Sequence, residues 1–157
     1  MRKRIISPDQ QHTTATDQEW LDVEALAEVE ITSEDAAHPI ESALLPRQNS
    51  GWRAAGPGQQ TIRLIFTHPQ QLSRIWLSFV ETEVERTQEF VLRWSADGGQ
   101  TFQDIVRQQW NFSPSDTTSE TEDYRVDLSA VNVFELSIIP EINGGPLLAS
   151  LAQLRLA

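Results

Sequence analysis

The chain has 157 residues, 39% of them hydrophobic, no cysteine, and a net charge of −11 from 12 basic and 23 acidic side chains. This length and apolar content fit one domain with a proper core and exclude a disordered chain. The missing cysteines exclude disulfides and thiolate metal sites, and the acidic balance argues against nucleic acid, whose phosphates need a basic face.

Met1-Arg2-Lys3-Arg4 starts like a secretory signal, but Ser7-Pro8-Asp9-Gln10 follows Ile5-Ile6 at once, so no apolar run develops. No segment is long enough to span a membrane, and the expected location is cytoplasmic. Residues 1–19, rich in Gln, Thr and Asp, read as a flexible arm; residues 20–157 read as a single domain. From Leu21 to Ile31 the odd positions are apolar and the even ones mostly acidic. That spacing predicts one long strand or two short ones with one buried face. A helix over Trp20–Ala27 competes, because Leu, Ala and Glu favour helix.

Pro39 suits the first position of a short helical turn over Ile40–Leu45. Strands then follow at short spacing. Ile62, Leu64 and Phe66 share a face, as do Ile75, Leu77 and Phe79. Phe90, Leu92 and Trp94 alternate with Val91, Arg93 and Ser95 in a strand that runs into Asp97-Gly98-Gly99, residues that tolerate positive φ in a tight hairpin. Further strands are expected over Phe102–Phe112, at Tyr124, Val126 and Leu128, at Phe134, Leu136 and Ile138, and from Leu148 to Leu156. Six or more short strands with turns between them indicate an antiparallel sandwich or barrel. The connections alternate in length. Residues 67–72, 96–100 and 129–132 are short, whereas 33–59, 81–88, 113–123 and 141–146 are longer. Alternate loops emerge at the same end, so the longer ones should gather at one end of the sandwich, where binding usually resides.

Several segments, in order, resemble the galactose-binding-like jelly roll, in particular the discoidin or coagulation factor F5/8 type C family. They are Val29–Asp35, His38–Leu44, Trp52, the pair Thr61–Phe66 and Leu72–Phe79, the turn Ser95-Ala96-Asp97-Gly98-Gly99, and Ser150–Leu156. The resemblance spans about residues 21–157 and implies an all-β antiparallel jelly-roll β-sandwich that binds sugars, lipid head groups or proteins through loops at one end. Many members hold a structural calcium ion with an aspartate and a glutamate. Here those positions fall on Leu45 and Gln153, so the resemblance implies a fold without that ion, and with the Leu44-Leu45-Pro46 loop held by apolar packing.

The motifs of catalysis are missing. There is no His-x-His, His-Glu-x-x-His or Gly-x-Ser-x-Gly spacing and no phosphate-cradling glycine loop, so neither an enzyme, a metal site nor a cofactor is expected. Glu81, Glu83, Glu85 and Glu89, and Asp116, Glu120, Glu122 and Asp123, read as solvated acidic loops, with a weak cation site in 113–123 as the alternative. The expected function is a non-catalytic binding module with carbohydrate as the ligand class; a protein-interaction module on the same surface is the alternative. The ligand-binding candidates are His38, Arg47, Asn49, Trp52, Arg53, Trp110 and Asn111, of which Trp52 and Trp110 compete with core packing. An aromatic face stacks on a sugar ring, and an adjacent amide or arginine donates to its hydroxyls.

Overall fold

The computed structural model describes residues 20–48 and 50–157; the arm expected over residues 1–19 and candidate Asn49 lie outside the described residues. The chain runs through α1 (Val23–Leu26), β1 (Ala27–Ile31), α2 (Glu41–Leu44), β2 (Trp52–Pro57), β3 (Gln60–Val80), β4 (Arg86–Ser95), β5 (Gln103–Phe112), β6 (Ser119–Ile139), β7 (Leu148–Leu151) and β8 (Gln153–Leu156). All the strand pairings are antiparallel.

Strands β3 and β6 pair along most of their length and belong to both layers of a sandwich. The first half of β3 lies between β1 and the end of β6, which continues into β4 and β5. The second half of β3 lies between β8 and the start of β6. Strands β2 and β7 form a separate two-stranded sheet. The layers meet where Phe79 of β3 stacks on Phe90 of β4, with ring centroids 5.2 Å apart. Around them Ile62, Leu64, Phe66, Ile75, Leu77, Leu92, Phe134, Leu136 and Ile138 are buried in one core, as their period of two predicts. Trp94 is only partly buried.

Two sequence expectations change. Separate strands at 62–66 and 75–79 are one strand, β3, and those at 124–128 and 134–138 are one strand, β6. The segments between them are bends, not loops. Pairing register shifts between Ile65 and Arg74, and Ala130 takes φ 59°. A bulge of this kind turns a strand from one layer into the other. It also explains why the inward residues of β3 are even-numbered before the bend and odd-numbered after it. The second change is at residues 21–31, where a single helical turn precedes a short strand. Asp22 caps α1, its Oδ1 accepting from the Ala25 amide at 3.3 Å. β1 pairs only with β3, and as an edge strand it leaves Val29 exposed.

Candidate functional site

The longer connections do meet at one end. The Glu81 amide donates to the Thr118 carbonyl and that of Ile142 to the Thr87 carbonyl, while Ala152 donates to Ser78. Arg86 donates to the Leu148 carbonyl at 2.8 Å and pairs with Glu81. Residues 33–53 close the same end. The Asp35 amide donates to Arg53, the Arg53 amide to His38, and the Gly51 amide to Ser42. Between these segments lies a pocket of about 280 Å³ lined by His38, Ser50, Gly51, Trp52, Arg53, Val80, Ser150, Leu151 and Ala152.

Three of the sequence candidates, His38, Trp52 and Arg53, line this pocket. His38 is half-buried and its Nδ1 lies 3.4 Å from Asp35 Oδ2, which leaves Nε2 without a partner among the described residues. Asp35 also accepts from the Ala37 amide at 3.1 Å; that bond first, and then His38, hold its carboxyl below the usual range. Arg53 is exposed on β2; its guanidinium makes no hydrogen bond or close ion pair among the described residues, and its charge adds a small share to the lowering of Asp35. The Asp35 carboxylate accepts from Nδ1, so Nε2 of a neutral ring is an open acceptor; an open acceptor beside guanidinium donors in a concavity is what hydroxyl recognition requires.

The structure corrects the stacking expected of Trp52 and Trp110, and it brings neither Arg47 nor Asn111 to this pocket. Trp52 is 1% exposed and its indole donates to the Ser33 carbonyl at 3.0 Å, so it backs the pocket and offers no face for stacking. Arg47 is exposed but does not line the pocket. Trp110 and Asn111 are neighbours in β5, and consecutive strand residues point to opposite faces. Trp110 pairs with the buried Gln88 and packs on the core. Asn111 turns outward to accept from Thr87. The expected aromatic-plus-amide pair therefore does not exist. Sequence reasoning missed Val80 and Ser150, which reach the pocket through the pairing of β2 with β7 and the run of β3 beneath it. Such long-range pairing leaves no local signal.

The acidic set at 116–123 is also corrected, because most of it is strand. Glu120 is 2% exposed, faces inward beside Phe79, and neither carboxylate oxygen has a partner among the described residues. Burial first, and then Glu122, push its pKa up to about 8. Asp123 instead pairs with buried Arg74 through both oxygens, at 2.8 and 2.7 Å. Among the described residues no group of three or more His, Cys, Asp or Glu is placed to hold a metal ion. The calcium site of many members of the resembling family does not fit either. The carbonyl of Leu45, at the position of that site's aspartate, and that of Ala43 accept from the guanidinium of Arg155.

A larger groove, about 490 Å³, crosses the outer face of the five-stranded layer along Glu89, Val91, Arg93, Arg107 and Ser137. Of the charged side chains that line it, all but Asp104 are paired among the described residues. Arg107 pairs with Glu89 at 3.4 Å. Buried Glu135 accepts from Arg63 at 2.6 Å and from Arg93 at 2.9 Å. Burial would raise the Glu135 pKa, but the two guanidinium groups outweigh it and hold it low. Phe102 covers both arginines, with its centroid 4.6 Å from the Arg93 guanidinium carbon and 6.0 Å from that of Arg63. Paired charges leave little for a ligand, so the loop-end pocket is the better candidate.

No protein-family model matches the sequence, and no curated protein does. Solved structures do match the fold. One is a pectin-binding carbohydrate-binding module, 17% identical over 83% of this chain and 89% of that one, with a TM-score of 0.60. Another is the family 32 carbohydrate-binding module of NanJ from C. perfringens, in complex with galactose, 16% identical over 83% and 92%, also 0.60. A third is module CBM32-3 of a family 31 glycoside hydrolase from Clostridium perfringens, 14% identical over 92% and 98%, at 0.63. At these identities the likeness establishes the fold: a galactose-binding-like jelly-roll β-sandwich, the architecture of family 32 carbohydrate-binding modules.

Proposed function

We propose that the protein is a non-catalytic carbohydrate-binding module whose loop-end pocket takes one hexose unit. The observation that carries this reading is the meeting of His38, with Nε2 open, and Arg53, with an exposed guanidinium, over an apolar wall of Val80 and Leu151. Arg53 donates in a planar fork to adjacent hydroxyls, His38 exchanges a hydrogen bond through Nε2, and Val80, 50% exposed, meets the C–H face of the ring. Recognition rests on hydrogen bonds, because Trp52 and Trp110 are turned away. Structural neighbours support a sugar ligand: one is solved with galactose and another with GalNAc-β-1,3-galactose. A net charge of −11 repels polyanions, so a neutral sugar is favoured over a polyuronate. Titration of galactose, N-acetylgalactosamine and galacturonate, followed by amide chemical shifts, tests this. Shifts at Ser50–Arg53 and Ser150–Ala152 are expected. Shifts confined to the Ala96–Gln100 end, or none with any sugar, overturn it.

A second reading is a protein-docking module that uses the same end. It is favoured by Val80, Val84 and Ile142, exposed apolar side chains that all stand on the segments bounding that end. It predicts no sugar-induced shifts and loss of partner binding when Val84 and Ile142 are made Ser.

A further inference from the structure

Arg155 stands in β8 between Leu154 and Leu156, whose side chains enter the core. Alternation turns Arg155 to the other face of its layer, where a charged side chain ordinarily reaches water. It is nevertheless 4% exposed. The end of α2 and the turn after it lie over it. Arg155 Nη1 donates to the Ala43 carbonyl at 2.8 Å and to that of Leu154 at 2.9 Å, and Nη2 donates to the Leu45 carbonyl at 2.9 Å. No carboxylate among the described residues pairs with it.

A buried cation without a counter-charge is costly unless oxygen dipoles replace its water. Three carbonyls do so here. Those of Ala43 and Leu45 belong to the end of a helical turn, where carbonyls lack intrahelical partners; the Leu45 carbonyl is shared with the Gln48 amide, at 3.1 Å. The arrangement is that of a hard cation in a carbonyl cage, with the guanidinium as the cation. The neighbouring side chains match: Leu45 and Gln153 are both uncharged, so neither adds a carboxylate.

The caged turn continues into the pocket. The Ser42 carbonyl, one residue before Ala43, receives the Gly51 amide. Gly51 has φ +78°, and a Cβ there would lie 3.0 Å from the Leu151 carbonyl oxygen. The chain is thus wedged against β7 immediately before Trp52 and Arg53. We propose that Arg155 is a positioning residue: its guanidinium is a built-in cation that holds the α2 turn, and through it the His38–Arg53 pocket, without a metal ion. This stands whatever the pocket binds.

Three measurements test it. Melting of the native chain in millimolar calcium and in chelator should agree within about 1 °C; a calcium-dependent rise of several degrees overturns the proposal. Arg155→Met keeps an unbranched apolar stem and removes the cation. It should lower the melting temperature by roughly 5–15 °C. It should also speed amide exchange at Leu45, Gly51 and Arg53 by at least about tenfold more than at Leu92. Equal acceleration at all four would make Arg155 an ordinary packing residue and overturn the proposal. Arg155→Lys, with a charge but no fork, should fall between. The native guanidinium needs no variant: its Nη protons should exchange with water far more slowly than those of Arg53. Equal rates would overturn the cage even if Arg155→Met failed to fold.

Discussion

The two ends of the sandwich are built by opposite means. At the hairpin end most bonds are local. Ser95 Oγ accepts from the amides of Asp97 and Gly99 at 3.2 and 2.9 Å and donates to Asp97 Oδ1 at 2.7 Å. Asp97 accepts in turn from Thr101, and Asn132 accepts from the Gly98 amide at 2.8 Å. Polar groups there use up one another. At the loop end the bonds join separate segments of the chain, and His38 Nε2 and the Arg53 guanidinium are left over. A closed turn is a structural terminus; an end assembled from distant segments retains unpaired chemistry.

The largest test asks whether the ends share one core. Leu92 lies between them, fully buried, and Leu92→Ala should cost roughly 2–5 kcal/mol in denaturant unfolding. Signals from both ends should move together; separate transitions would break the comparison into two bodies.

Glu120 is a strained member of the loop end. Its folded pKa lies near 8, above the ordinary value of 4.5. The folded state therefore holds a proton that the unfolded state has lost between those values. Stability from this group is full below about pH 4.5 and falls as pH rises to about 8, by at most about 1.4 kcal/mol per pH unit. Glu120→Gln should flatten that slope in melts across pH and raise stability at neutral pH.

At the hairpin end the sign reverses. Thr101 first, and then Ser95, hold the Asp97 pKa down to about 2. Its contribution is present above the ordinary carboxylate value and is lost as pH falls through about 2. Ser95→Ala, which strips three bonds from a buried hydroxyl, should cost about 1–3 kcal/mol and should make the Asp97 carboxyl titrate nearer its normal value by NMR. No change in that titration would show that the turn is not held by its hydroxyl.

The smallest effect on folding should come from Arg53→Ala, within about 0.5 kcal/mol, because the side chain is exposed and unpaired. The same change should weaken sugar binding by at least about tenfold. Loss of stability with binding intact would reverse the roles assigned to the two ends.

The contrast also explains what was legible in the sequence. The Ser-x-Asp-Gly turn and the alternating strands are local patterns, and inward residues such as Phe90, Leu92 and Leu136 lie where their period places them. The gathering of the longer loops followed from their alternation. The bends of β3 and β6 were not legible, because a bulge imitates a strand break in composition. Trp110 and Asn111 fail as a pair because adjacency along a strand separates side chains in space. Arg155 was invisible as a caged cation because its partners are backbone carbonyls more than a hundred residues away, and backbone leaves no trace in residue identity. Glu120 looked solvated for a similar reason: the burial of a carboxylate depends on what folds across it.

The sharing of β3 and β6 between layers also bears on how the molecule comes to exist. Their pairing joins Val80 to Ser119 and Gln60 to Ile138, closing roughly forty to eighty residues of chain, with the local β4–β5 hairpin inside the smaller loop. Contacts of such separation delay the rewarding step until much chain entropy has been lost, which places folding in the millisecond-to-second range. The five-stranded layer has one interior strand of its own, β4, but both layers share β3 and β6. The two layers should therefore appear in one kinetic phase, and a refolding experiment that pulses amides with deuterium should protect Leu64 and Leu77 at the same rate.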